Sequence, residues 1–321
     1  YSPSVDTINF NGTDGQNVFF IEDTHPSVNL NINGQDGDDR FDVGGAGLFP
    51  SLDGIQGRLI LNGGADDDFV HFIDTAHVGS ETYVLTAANL TRNDLPFPLP
   101  YLGMESVRLD AGSGSDQIVI EELDDDAIVN GAGGNDTFVV GNGDIDSNIT
   151  ANLDILGGAT LGPNDHLILE DSVDTNPDTY WLESNSFNKF NFPPTLTFDD
   201  SIEAVTLNAN PQANQIHVDS VANGAVFTAN GQGGDDLFLV GDGDIDTNLV
   251  GDVVVNGGAG DNDVWLQDAL DQVGNDSYVL TDTTLTKTAF SGSVLYESVS
   301  LVRLFANEFD NTIDIDGTVA G

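Results

Sequence analysis

The stretch Asn130-Gly-Ala-Gly-Gly-Asn-Asp136-Thr-Phe-Val-Val140 decides the fold, because it is one copy of a pattern that runs through the whole chain. An Asn or Asp is followed by Gly or Ala and a loop of small residues. A second Asp or Asn stands six positions on, and an alternating apolar strand follows. Asn11 to Asn17 leads into VFFI, Asn33 to Asp39 into RFDV, and Asn62 to Asp68 into FVHF. Asp110 to Asp116 leads into QIVI, Asn208 to Asn214 into QIHV, and Asn230 to Asp236 into LFLV. Insertions lengthen the copies Gly157 to Asp165 (before HLIL) and Asn256 to Asp263 (before VWL), and a degenerate copy, NEFDN, precedes Thr312–Ile315.

The spacing has a second level. Copies begin at 11, 33 and 62, at 110, 130 and 156, at 208, 230 and 256, and near 305, so the first of each set recurs after 99, 98 and about 97 residues. Tyr83, Tyr180 and Tyr278 correspond across the sets, as do Glu105, Glu203 and Glu297. The expectation is three tandem repeats, 1–109, 110–207 and 208–304, with 305–321 opening a fourth. A strand, a Gly/Asn/Asp turn and another strand in about 22 residues make the coil of a solenoid. The predicted fold is therefore all-β, a parallel β-helix whose equivalent strands stack about 4.8 Å apart with alternate side chains inside. Asn before Gly, at 33, 62, 130, 230 and 256, is expected to form stacked rows whose amides bond along the axis. The alternative is a string of cadherin-like or immunoglobulin-like sandwiches, which share a period near 100 residues but carry no motif recurring inside each domain. The less regular stretches 69–109, 166–207 and 264–304 each hold two or three strands and are expected to protrude as hairpins.

Composition narrows the partners. Of 321 residues, 54 are Asp or Glu and 7 are Lys or Arg, a net charge of −47. Such a polyanion repels nucleic acid and anionic lipid. The chain has no Cys, which excludes disulfides and thiolate chemistry. No apolar run approaches the 18 residues of a membrane span. Tyr1 in place of Met reads as a processed or excised segment.

Stacked coils also stack their carboxylates. Two unit charges 4.8 Å apart repel by about 0.9 kcal/mol in water, and several-fold more at an effective dielectric near 20. Alternation with Asn and Gly, splayed side chains, salt or bound cations must offset the repulsion. The loop GDGDIDTN alternates Asp242, Asp244, Asp246 and Asn248, a spacing with which calcium loops aim oxygens at one point. Asn142, Asp144, Asp146 and Asn148 repeat it, whereas GGAGLFPSLDG at 44–54 has diverged and is expected to lack the site. The other reading of this loop is a polar corner in which Asp and Asn merely cap turns.

The Gly-Asp turns NGGAGDNDVWL and NGAGGNDTFVV resemble the nonapeptide of haemolysin-type calcium-binding repeats. The resemblance covers about nine residues per coil, and here ten or more unrelated residues follow each copy instead of a second nonapeptide. It implies calcium at Asp39, Asp68, Asp136, Asp236 and Asp263. The whole chain resembles the tandem-repeat segments of very large bacterial surface or secreted proteins. That resemblance implies an extracellular location, structural or adhesive work, and calcium-dependent folding.

An enzyme is the competing class, because parallel β-helices also carry polysaccharide lyases and hydrolases. A catalytic residue should occur once, where the repeat symmetry breaks, yet Arg92, Lys189 and Lys287 are repeat-equivalent and read as structural ion-pair partners of Glu105, Glu203 and Glu297. Acidic neighbours such as Asp199-Asp200 are expected by chance in so acidic a chain. His25, His71, His77, His166 and His217 occupy unmatched positions, and GSGSDQ precedes a strand rather than a helix, which removes a dinucleotide site. No catalytic residues and no organic cofactor are expected. The chain opens and closes on motif copies without a polar cap, so it is read as cut from a longer array or as a subunit that continues head-to-tail. The expected partners are copies of itself and surface glycans, with Trp181 and Trp265 the residues that would line a sugar cleft.

Overall fold

The computed structural model describes residues 5–45, 47–158 and 164–317, and in them the chain is a parallel β-helix. The middle of the insertion between Gly157 and Asp165 lies outside the described residues. Two compact bodies are present: residues up to Asn142 with Ser147–Asp165 and Pro194–Ser201, and Gly143–Asp146 with His166–Pro193 and residues from Ile202 onward. Each contains two mostly parallel sheets.

The two-residue alternation of the motif strands sets the interior. In the first body Val18–Ile21, Arg40–Val43, Phe69–Ile73, Ser106–Asp110, Asp126–Asn130 and Leu153–Leu156 pair in parallel. Phe41, Val70, Val107, Ala127 and Leu153 therefore stack in one buried row, and Val43, Phe72, Leu109, Val129 and Ile155 in the next. The second body repeats this with Ile216, Phe238 and Val264 beside Val218, Val240 and Leu266, all 0% exposed. Apolar rows one strand spacing apart bury their side chains against like neighbours, which drives the stacking.

The amide rows form as expected at several coils. Asn62 Nδ2 donates to Asn33 Oδ1 at 3.2 Å, Asn230 Nδ2 to Asn208 Oδ1 at 2.8 Å, and Asn130 Nδ2 to Asp110 Oδ1 at 3.0 Å.

The hairpins do not protrude. Thr82–Thr86, Asn89–Arg92 and Leu99–Leu102 lie antiparallel to one another within a sheet, and Thr82–Thr86 then continues it in parallel with Gln117–Ile120. The reason is apolar alternation: Tyr83, Leu85, Leu90, Leu99 and Tyr101 all point inward and are buried. Ser277–Leu280 and Thr284–Lys287 do the same in the second body.

This inserted hairpin changes the phase. Three of its strands occupy one sheet in a row, so corresponding motif strands on either side of it are separated by an odd number of sheet-to-sheet steps. Thr7–Asn11 and its counterpart Ser106–Asp110 therefore lie in opposite sheets of the first body. Ile202–Asn208 and Leu301–Phe305 are likewise split between the two sheets of the second.

Candidate functional site

The chain's polar chemistry concentrates in two arrangements, a column of acids at the coil corners and a cage around each buried cation.

The column is built by the second Asp or Asn of the motif. Asp39 Oδ1 accepts the backbone N–H of Asn17 at 2.7 Å, Asp68 Oδ1 that of Asp39 at 2.7 Å, and Glu105 Oε2 that of Asp68 at 2.7 Å. Glu81, Asp116, Asp136 and Asp165 form a second ladder with steps of 2.7, 2.8 and 2.7 Å. In the second body the ladder runs Asp178, Asn214, Asp236, Asn262 at 2.9, 2.8 and 2.9 Å. Each rung satisfies a buried backbone donor one coil away.

The glycine after the first motif Asn exists for this rung. A Cβ on Gly131 would collide with Asp136 Oδ2 and lie 2.8 Å from the carbonyl oxygen of Gly157. Gly34, Gly63 and Gly231 stand in the same relation to Asp39, Asp68 and Asp236. Gly134, with φ of +126°, makes the corner between them.

Burial holds the Asp136 and Asp236 carboxyls up to about 7 and that of Asp68 up to about 6, with the neighbouring Asp165 and Asp116, Asp235, and Asp39 and Glu105 adding to the rise. Oδ2 of each of these carboxyls lies against the backbone of the motif glycine. Calcium at Asp39, Asp68, Asp136 and Asp236 stays what the resemblance implies, and the described acids whose oxygens converge within 4.8 Å of one another lie elsewhere. At the next coil Asn262 occupies the column, and Asp263 begins the following strand, half-buried.

The cages are built around the three repeat-equivalent bases. Lys189, 0% exposed at its side chain, places Nζ against Asp146 and at 2.9, 2.7 and 3.1 Å from Asp171, Asp174 and Asp178. Lys287 places Nζ against Asp246 and at 2.8, 2.7 and 3.5 Å from Asp268, Asp271 and Asp276. Arg92 reaches Asp53 at 2.5 Å, Asp74 at 2.5 Å and Asp94 at 2.6 Å. The partners are thus aspartates, and not Glu105, Glu203 and Glu297 as the sequence reading had it; Glu105 is spent on the column. Short connections after each motif strand carry these aspartates over the hairpin base, whereas the glutamates start the next coil.

A tyrosine closes each cage. Tyr83, Tyr180 and Tyr278 donate their hydroxyls to Asp74, Asp171 and Asp268 at 2.6, 2.6 and 2.5 Å. The other oxygens of those aspartates accept the N–H of Leu52, Ile145 and Ile245, each at 2.8 Å. The carboxylates around Lys189 raise its pKa despite burial; the same ammonium holds Asp174 down to about 2, while burial leaves Asp178 up at about 6.

The eight expected loop ligands divide accordingly. Asp146 and Asp246 join the cages. Asp144 lies with Asp146, Asp171 and Asp174, and Asp244 with Asp246 and Asp268, each group having oxygens within 4.8 Å of one another. Asp244 also caps the short helix Ile245–Asn248 by accepting the N–H of Thr247 at 3.1 Å. Asn148 and Asn248 turn their amides back to the carbonyls of Gly141 and Gly241 at 2.8 and 2.9 Å. Asn142 and Asp242 are exposed corner residues with φ of +47° and +42°. The first repeat was expected to have lost the site, yet Asp53 takes the place of Asp146 and Asp246, and His77 and Glu81 stand where the later cages have acids, His77 bonding Asp53 at 3.0 Å and Glu81 at 3.1 Å. Repeat spacing around Asp74, Asp171 and Asp268 was the signal that could have revealed the cages beforehand.

Several acidic groups could thus hold a metal ion. At the cage centres the chain's own ammonium or guanidinium already stands among these carboxylates.

Comparison with known proteins finds no protein family that the chain matches and no similar curated protein.

Proposed function

We propose that the chain is a structural repeat scaffold that works outside the cell or at its surface, is further stabilised by calcium, and assembles with copies of itself. One observation carries this reading: the buried ionisable clusters recur from repeat to repeat and are closed by partners within the chain, as in the Lys189 and Lys287 cages. Groups spent on holding coils together are not available to a substrate, and a recurring cluster is a building device. The three tandem repeats themselves belong to this proposal.

Calcium enters through charge. Four carboxylates surround each single ammonium, and Asp144 and Asp244 stand beside them on the outer side. Hard oxygen donors of this kind suit calcium. Self-association draws support from apolar side chains left open on the outermost strands, Phe10 and Phe20 at 54% and 58% exposed, and Ile313 and Ile315 at 52% and 61%.

Thermal melts in EGTA and then in added calcium test the reading. A rise of the midpoint with calcium is expected; an unmoved midpoint removes calcium and leaves the scaffold. Sedimentation in both conditions tests assembly, and a strict monomer in each removes it.

A second reading, carbohydrate binding, has one observation in its favour. The chain's two tryptophans lie on a single outward row of the second body, Trp181, His217, Leu239, Trp265, Arg303, in register across five strands. Loss of glycan retention on Trp265→Ala would support it.

A further inference from the structure

Eight Asn-Gly pairs occur in the chain, beginning at 11, 33, 62, 130, 142, 223, 230 and 256. In this dipeptide the glycine nitrogen can reach the preceding side-chain amide, because no Cβ crowds it. The fold withholds that nitrogen almost everywhere. Gly12, Gly131, Gly231 and Gly257 donate their N–H to the carbonyls of Asn33, Leu156, Asn256 and Glu297 on the next coil, at 2.7, 2.9, 2.9 and 3.0 Å. Gly34 and Gly63 lie buried inside the strands Asn29–Asp36 and Leu59–Ala65. Gly143 is buried under Val173, whose N–H its carbonyl accepts at 2.7 Å. The amides are held too: Asn62, Asn130 and Asn230 donate along the axis to Asn33, Asp110 and Asn208.

Asn223-Gly224 is the exception, the one pair in which both residues are exposed. It forms the tip of a turn closed by the N–H of Ala225 on the carbonyl of Ala222 at 3.1 Å. Gly224 has φ of +82° and Asn223 does not share the left-handed region, so the turn is of type II. Asn223 then takes ψ of about +120°, which turns the peptide it shares with Gly224 out of the plane of the turn. Nothing lies within 4 Å of the place a Cβ on Gly224 would occupy. Among the described residues no acceptor takes the Gly224 N–H.

We propose that Asn223 is a site of spontaneous covalent modification, the Asn-Gly pair that the folded chain leaves free to cyclise. The Gly224 nitrogen bonds to Asn223 Cγ, the Cγ–Nδ2 bond breaks, and ammonia leaves with the proton of that nitrogen. Water then opens the five-membered imide at either of its carbonyl carbons. One water is taken up and one ammonia released, and position 223 becomes aspartate or isoaspartate. Either product adds a negative charge to the turn, and isoaspartate also lengthens the backbone there. The change falls on a contact between coils. Gly251 packs so closely beneath the turn that a Cβ on it would lie 2.3 and 2.5 Å from the carbonyl oxygens of Ala225 and Ala222, and Asp252 donates its N–H to Ala225 at 2.9 Å.

The test incubates the full chain at physiological temperature in mildly alkaline buffer and follows its digested peptides by mass spectrometry. The peptide holding Asn223 should gain the mass of an amide-to-acid exchange at least about tenfold faster than any other Asn-Gly peptide, because those pairs must first open locally. It should also split into two chromatographic forms of equal mass, aspartate and isoaspartate. Asn223→Gln, a change at an exposed turn, should keep the fold and remove the first acidic species to appear on isoelectric focusing. Equal rates at every pair in the folded chain overturn the proposal, as does an unaltered Asn223 while another pair converts. A rate at Asn223 that rises when urea is added overturns it as well, since the folded turn would then be protecting the amide.

Discussion

Tyr180 donates its hydroxyl to Asp171 Oδ2 over 2.6 Å, and that same oxygen lies 2.9 Å from the ammonium of Lys189. The shared oxygen ties a hairpin strand to the connection that precedes it. Tyr180→Phe keeps the ring in place and removes one of the two donors. The variant is expected to lose about 1.5–3 kcal/mol in urea unfolding, the worth of a hydrogen bond to a charged group. A loss within error would mean that the ammonium and the N–H of Ile145 suffice to hold Asp171.

Lys189→Met leaves Asp146, Asp171, Asp174 and Asp178 without their cation. Removing one partner of a buried charge cluster costs about 3–5 kcal/mol. The deficit should shrink toward pH 4, where the abandoned carboxyls take up protons, and denaturant titrations at pH 7 and 4 measure both.

Gly131→Ala forces a Cβ onto Asp136 Oδ2, and neither the carboxyl nor the carbonyl of Gly157 can retreat from a stacked coil. A loss of about 2–4 kcal/mol is expected, with the fold's weakest point at that rung. Gly133→Ala, two residues on, meets nothing nearer than 4.0 Å and should change the melting midpoint little.

The corner loop offers a contrast between neighbours. Asp242 is exposed with φ of +42°, so Asp242→Gly relieves the backbone and should be neutral or slightly stabilising. Asp244→Ala removes a helix cap and should lower stability by about 1 kcal/mol. Equal losses in calcium for both variants would show that the loop acts as one ligand set.

Acid should weaken the fold. The ammonium of Lys189 holds Asp174 down to about 2, and His71 and Arg108 hold Asp110 well below the usual range. Groups held low stabilise the fold above 3.8 and lose that contribution as pH falls toward 2. Acids held up to about 7 contribute fully below 3.8 and lose that contribution as pH rises, so the two groups together place the stability maximum at about pH 4. Melts across pH 2 to 9 locate it, and a maximum above pH 8 would contradict both groups of shifts.

The coil was legible because its signals are local. Asn130, Gly131 and Asp136 lie within seven residues, and the alternation of Phe138 and Val140 fixes which side turns inward. The cages were not legible, because Lys189 lies 43 residues from Asp146 in the chain and only the hairpin's return into the sheet brings them together. Repeat arithmetic pointed to Arg92, Lys189 and Lys287 as equivalent but could not choose Asp over Glu as their partner. The loop Asp242–Asn248 was read as needing a cation, and its Asp246 has one, delivered by Lys287 from the same chain. Asn262 displacing Asp263 shows the limit of counting through an insertion, where one residue shifts a side chain to the other face.

The hairpin that stays within its sheet governs how such a chain can lengthen. Adding one repeat carries each later motif strand to the opposite sheet, as Thr7–Asn11 and Ser106–Asp110 already show, and adding two restores it. Motif strands that correspond in sequence therefore turn their outward side chains to opposite sides of the helix.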